Sequence, residues 1–268
     1  AHYDAFIVGS DQIWRHKYAG WFFPQNYLSE IKDERPLKIA YAASLGTDDW
    51  EYDKQETQIM SSLLRKFDAI SVREQTSVPI LKKHCGINSR ALLDPTLLLS
   101  KEDYIRIAEE NNAPISDGTL LAYLLDKTPE MQAALNEFSI THHMIQFMCY
   151  SPTADSWHLS PWERQQTPVP NWIRGFIDAE YVITNSFHAC VFSILFNKPF
   201  VVLCNKARGS ARFESLLDTF KLRDRLVYDV QDINKVPITL DYGPVNDILE
   251  QKRSESLVFL RESLAIEK

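Results

Sequence analysis

The chain has 268 residues, 45% of them apolar and 24% charged, with a formal net charge of −7. This is the composition of a globular protein long enough for two domains, and the acidic balance gives no electrostatic reason to expect a duplex nucleic-acid partner. No apolar run approaches the roughly 20 residues of a membrane-spanning helix, and no signal peptide is visible at the start.

Cys85, Cys149, Cys190 and Cys204 occur singly, without a Cys-x-x-Cys pair or a histidine at metal-ligand spacing. No metal site is expected, and a reducing, cytoplasmic setting fits best. In chain order, Asp4–Val8 reads as a first strand, followed by Gly9 to Trp14 and an irregular aromatic stretch through Tyr27. Lys38–Ala43 is a second strand, Gln55–Phe67 a helix, Ala69–Val72 a third strand, Glu74–His84 a helix closed by Gly86, and Ala91–Asp94 a fourth strand. Strands alternating with helices imply parallel β-α-β units, whose ligands gather at the carboxyl ends of the strands. The polar residues at those ends are Ser10, Asp11, Ser44, Arg73 and Asp94.

The pattern resets near Asp94 to Leu99. A helix over Lys101–Asn111 and a polar loop lead to a strand over Thr119–Leu125, a helix over Pro129–Phe138 and a strand over Thr141–Cys149. In that last strand His142 and His143 would point to opposite faces, one outward and one into the core. Ser151–Pro170 reads as a long loop; then come a helix over Asn171–Ala179, a strand over Tyr181–Thr184, a helix over Phe187–Phe196 and a strand over Pro199–Cys204. The divisions expected are residues 1–99, residues 100–244, and a closing helix within residues 245–268.

The junction Thr184-Asn-Ser-Phe-His-Ala189 is a strand running into a helix N-terminus, which seats phosphate or carboxylate on backbone N–H groups and the helix dipole. His188 falls in that first turn, where an imidazole can give or take a proton beside a bound anion. The plainer alternative leaves Ser186 as an N-cap and His188 as a hydrogen-bonded helix residue.

Together, Phe6-Ile-Val-Gly-Ser-Asp-Gln-Ile-Trp14, Ala42-Ala-Ser-Leu-Gly46, Ile70-Ser-Val-Arg-Glu-Gln-Thr-Ser77, Leu93-Asp-Pro-Thr-Leu97 and Thr184-Asn-Ser-Phe-His-Ala189 resemble the polysaccharide pyruvyl transferase family. The resemblance implies an α/β fold of two Rossmann-like domains facing a cleft, similar to GT-B-like glycosyltransferases, with the opening strand and glycine turn of the first domain missing here. It implies transfer of the enolpyruvate-derived group of phosphoenolpyruvate to sugar hydroxyls of a cell-surface or secreted polysaccharide precursor, giving a pyruvate ketal, with no cofactor beyond that donor.

On this resemblance His188 and Asp11 are the catalytic candidates, and Arg73, Ser10, Asn185, Ser186, Lys206, Arg208 and Arg212 the substrate-binding ones. Arginines suit a ligand carrying both phosphate and carboxylate. Many family members carry a basic residue where this chain has Phe187. The aromatic residues from Trp14 to Tyr27, with Trp157, Trp162 and Trp172, have two readings: stacking on sugar faces, or core and loop anchoring. Two other functions fit the architecture, a nucleotide-sugar glycosyltransferase and a non-catalytic sugar-binding homologue.

Overall fold

A computed structural model describes residues 3–125, 128–148, 160–161, 165–204 and 209–267. The chain divides into two compact units, one of Ala1–Leu98, Gly209–Leu216 and Asp247–Lys268, the other of Leu99–Arg208 and Leu217–Asn246. Residues 209–216 and 247–268 thus return to the first unit, an arrangement that a division made along the chain does not contain.

The first unit holds β1 (Ala5–Val8), α1 (His16–Ala19), a 3-10 segment (Gly20–Tyr27), β2 (Leu37–Ala43), α2 (Lys54–Leu64), β3 (Ala69–Val72), α3 (Ser77–Cys85) and β4 (Arg90–Ala91). All pairings are parallel and the strands lie in the order β1-β2-β3-β4. Every residue of β2 is buried, as a central strand covered on both faces requires. One face packs Trp14, Tyr27, Met60, Leu64 and Leu81; the other packs Tyr41, Leu92 and Phe259.

Local signals set the helices. Asp53 caps α2 through a reciprocal capping box with Glu56, and Gly86 ends α3 in the left-handed conformation that glycine adopts without a Cβ clash. The helix expected from Glu74 starts three residues later, because Glu74 turns inward to the strand ends instead. Gly9 is required by its backbone: with φ 140°, an added Cβ would meet the Tyr41 carbonyl oxygen.

The second unit follows with α4 (Lys101–Glu110), β5 (Leu120–Tyr123), α5 (Pro129–Thr141), β6 (Gln146–Met148), α6 (Val169–Asp178), β7 (Tyr181–Thr184), α7 (Phe187–Leu195) and β8 (Phe200–Leu203). Next come α8 (Ala211–Phe220), which starts in the first unit, β9 (Leu226–Val227), a strand absent from the sequence reading, and α9 (Gly243–Leu264). The sheet is again parallel, in the order β6-β5-β7-β8-β9. Between β5 and β7 the chain order reverses, which makes the crevice beyond their carboxyl ends the ligand position of a doubly wound sheet.

The histidine pair is corrected by the structure. Helix α5 runs to Thr141, His142 follows it with its ring 4.3 Å from that of Phe138, and His143 is a left-handed turn residue, so neither lies in a strand.

Candidate functional site

In the second unit, β7 delivers Thr184, Asn185 and Ser186 to the order reversal. Thr184 Oγ1 donates to the Tyr123 carbonyl at 2.6 Å and accepts from Ser186 N at 3.0 Å; Asn185 Oδ1 accepts from Leu125 N at 2.7 Å. These bonds lace the loop after β5 to the loop after β7. Ser186 caps α7, its Oγ accepting from Ala189 N at 3.5 Å. The capping alternative for Ser186 is therefore present in the structure, and Asn185 spends its carbonyl oxygen on the neighbouring loop.

Helix α7 is apolar all round. From Phe187 to Leu195 every residue is buried except His188, which is partly exposed in the first turn. A helix buried on all sides anchors its N-terminus firmly. The one side chain it offers to solvent is an imidazole, set beside N–H groups and the positive end of a helix dipole. Phe187 is buried, with its ring 5.5 Å from that of His188.

In the first unit, residues from four strand ends meet. Arg73, just past β3, donates from Nη1 to Asp94 Oδ2 at 2.9 Å and from Nε to Glu74 Oε1 at 3.1 Å, and its Nη2 lies 3.7 Å from Asp11 Oδ1. Both partners are deeply buried, Glu74 at 1% exposure and Asp94 at 2%. Hydroxyls complete their shells: Ser10 Oγ on Asp94 Oδ2 at 3.2 Å, Thr96 Oγ1 on Asp94 Oδ1 at 2.8 Å, and Ser44 Oγ on Glu74 Oε1 at 2.7 Å. Burial works against the charge of Arg73, but the two carboxylates outweigh it and raise its pKa.

Arg73 is thus the hub of a buried ionic cluster, with little of its guanidinium open to a ligand. Ser10 is likewise engaged, donating also to the Ala42 carbonyl at 2.7 Å. Asp11 is the member that faces outward, with φ 26° and its backbone oxygen accepting from Ser44 N at 3.0 Å. Near it lies Arg212, half-buried in the first turn of α8. Burial, then the positive charge of Arg73, holds its pKa below the usual arginine value, against the pull of Glu74 and Asp11. A bound anion would relieve that repulsion.

The structure therefore brings Asp11, Ser10, Arg73 and Arg212 together in one unit, and Asn185, Ser186 and His188 in the other. Lys206 and Arg208, like Cys149, Trp157 and Trp162, lie outside the described residues. Glu74 was missed; its signal was a second charge directly after Arg73 at the end of an apolar strand, with Ser44 and Ser77 in reach of its carboxylate. Among the described residues no cluster of histidine, cysteine and carboxylate side chains could hold a metal ion.

The sequence profile of polysaccharide pyruvyl transferases matches residues 2–206. The chain belongs to this family. No curated protein matches it. Among solved structures, this family member is similar to UDP-GlcNAc 2-epimerase from Neisseria meningitidis bound to UDP-GlcNAc, at 9% identity over 97% of this chain and 70% of that one, with a TM-score of 0.49. It is also similar to the wall teichoic acid polymerase TagF, at 12% identity over 87% of this chain and 69% of that one, with a TM-score of 0.45. At that level of likeness neither neighbour bears on its chemistry. Among the described residues no helix is long and apolar enough to cross a membrane.

Proposed function

We propose that this pyruvyl transferase family member moves the enolpyruvate-derived group of phosphoenolpyruvate onto two hydroxyls of a sugar in a polysaccharide precursor, forming a cyclic ketal in the cytoplasm. The observation that carries this reading is His188, the one partly exposed residue of a buried helix, in the first turn at the order reversal of a parallel sheet. Such a seat suits a donor with a phosphate, a carboxylate and a carbon awaiting a proton. Buried Cys85 and Cys190, neither joined in a disulfide, suit a reducing compartment.

In this mechanism a sugar hydroxyl adds to C2 of the donor while C3 gains a proton from the His188 imidazolium. The C2–O bond to phosphate then breaks, phosphate leaving with the bonding pair, and a second hydroxyl of the same sugar closes on C2 with loss of its proton. One phosphoenolpyruvate and one diol give one ketal and one phosphate. The N-terminus of α7 receives the donor's anionic charge. Asn185 and Ser186 fix the loop that presents that N-terminus. Within the first unit, Asp11 is the carboxylate suited to a sugar hydroxyl, held by Arg73, and Arg212 is a positive charge suited to an anion.

The test is phosphate release from phosphoenolpyruvate with a panel of sugar acceptors, comparing wild type with His188→Ala. A loss of at least a hundredfold in kcat is expected, within the range that general acid–base catalysis contributes. Undiminished turnover in the variant would remove His188 from the mechanism, and a wild type inert toward phosphoenolpyruvate would remove the donor.

A further inference from the structure

The segment from Gly9 to Tyr27 leaves the carboxyl end of β1 carrying aromatic rings of two kinds. Trp14, Phe23 and Tyr27 are core: Trp14 is fully buried, stacked on Tyr27 at 5.0 Å, with its Nε1 donating to the Asn26 carbonyl at 3.1 Å. Tyr18, Trp21 and Phe22 are the opposite, at 58%, 97% and 73% exposure. Their scaffold is nevertheless held firmly. Trp14 N donates to Ser44 O at 3.1 Å, His16 Nε2 meets Glu56 Oε1 at 2.8 Å, Lys17 N donates to Glu51 Oε2 at 3.1 Å, and Asn26 Nδ2 donates to Ile13 O at 2.8 Å. Single exposed apolar side chains are ordinary, whereas successive large rings presented from an anchored backbone mark an interaction surface.

We propose that Tyr18, Trp21 and Phe22 form the platform on which the acceptor glycan lies, its sugar rings stacked by their C–H faces on the aromatic faces. This rests on the pyruvyl-transfer reading for the identity of the glycan as acceptor, not for its binding. Three observations select a carbohydrate. The surface is wholly aromatic, with no exposed aliphatic side chain between Tyr18 and Phe22. It is continuous with the strand-end cluster: Tyr18 packs beneath the Arg15 guanidinium at 5.0 Å and lies close enough to Arg212 for the two to interact electrostatically, beside the outward carboxylate of Asp11, a natural acceptor for sugar hydroxyls. Its charged surroundings are mixed, with Glu51, Glu56 and Asp11 set against Arg15, Lys17 and Arg212, unlike the clustered basic surfaces that hold anionic membranes.

The experiment measures binding of neutral hexopyranose oligosaccharides to the full chain by calorimetry without phosphoenolpyruvate, in wild type, Trp21→Ala, Phe22→Ala and Tyr18→Ala. All three side chains are largely exposed, so the variants keep the fold. Each truncation is expected to weaken glycan binding about tenfold, the scale of one lost stacking contact. Thermal stabilisation by phosphoenolpyruvate should be unchanged. Glycan affinity unaltered in the Trp21→Ala, Phe22→Ala double variant, or a wild type that binds none of the oligosaccharides, overturns the platform. So does capture of the wild type by phosphatidylglycerol vesicles that the double variant escapes, since the surface then serves a membrane. A protein that binds glycan through these rings yet releases no phosphate from phosphoenolpyruvate overturns the donor reading and leaves the platform standing.

Discussion

Replacing Asp94 by asparagine tests whether hydrogen-bond geometry or net charge governs the buried cluster at the strand ends. Four donors converge on this carboxylate: Arg73 Nη1 at 2.9 Å and Ser10 Oγ at 3.2 Å on Oδ2, and Thr96 N at 3.1 Å and Thr96 Oγ1 at 2.8 Å on Oδ1. An amide has one acceptor oxygen, so in either orientation its NH2 faces donors. A buried donor left facing a donor, together with lost compensation of Arg73, costs roughly 3 kcal/mol. Glu74→Gln differs. Its oxygen can keep Arg73 Nε and Ser44 Oγ, while the NH2 turns to Ser77 Oγ, which can rotate to accept, for about 1 kcal/mol. At about 3 °C per kcal/mol the unfolding transition of the first unit should fall by roughly 9 °C for Asp94→Asn and about 3 °C for Glu74→Gln. Differential scanning calorimetry on both variants decides it. Charge alone gives no such difference, because each substitution removes one carboxylate charge from beside the guanidinium. A larger drop for Glu74→Gln would refute the hydrogen-bond argument.

Ser186→Ala removes the cap of α7, whose bond to Ala189 N is long at 3.5 Å, so a loss of about 0.5 kcal/mol is expected in urea unfolding. Gly9→Ala forces a Cβ onto the Tyr41 carbonyl at a φ of 140° and should leave little folded protein by circular dichroism. Asp178 is partly buried, which by itself raises its pKa, but its bonds with Arg174 Nε at 2.9 Å and Ser116 N at 2.8 Å bring the folded value below the usual one. Its stabilisation is therefore full above the ordinary aspartate pKa of about 3.9 and fades as pH falls through the lowered folded value. Asp178→Asn should cost stability in unfolding titrations at pH 7 and progressively less in strong acid.

Where apolar periodicity and capping residues coincide, the fold is legible in the sequence: β2, β3, β7 and α7 fall within a residue or two of their expected bounds. The α/β alternation and the strand-to-helix junction at Thr184 to Phe187 follow from the same signals. Other features depend on contacts remote in sequence. Residues 209–216 join the first unit, where the Ser215 hydroxyl accepts from Gln75 N at 2.9 Å, so nothing local to Arg212 announces that it stands beside Arg73. The end of β3 reads as an exposed arginine available to a ligand, because the burial of Glu74 and Asp94 is a tertiary fact. The aromatic stretch splits into core and exposed rings through packing on α2, which composition alone does not encode.

The complete burial of α7, His188 apart, bears on how that histidine can move. Amides in a helix enclosed by the core exchange with solvent only when the structure opens widely, so slow hydrogen exchange is expected along the backbone that carries the imidazole. The ring is left with rotamer motion, on picoseconds to nanoseconds, as its own freedom. Any slower displacement of the ring would require the buried helix itself to shift.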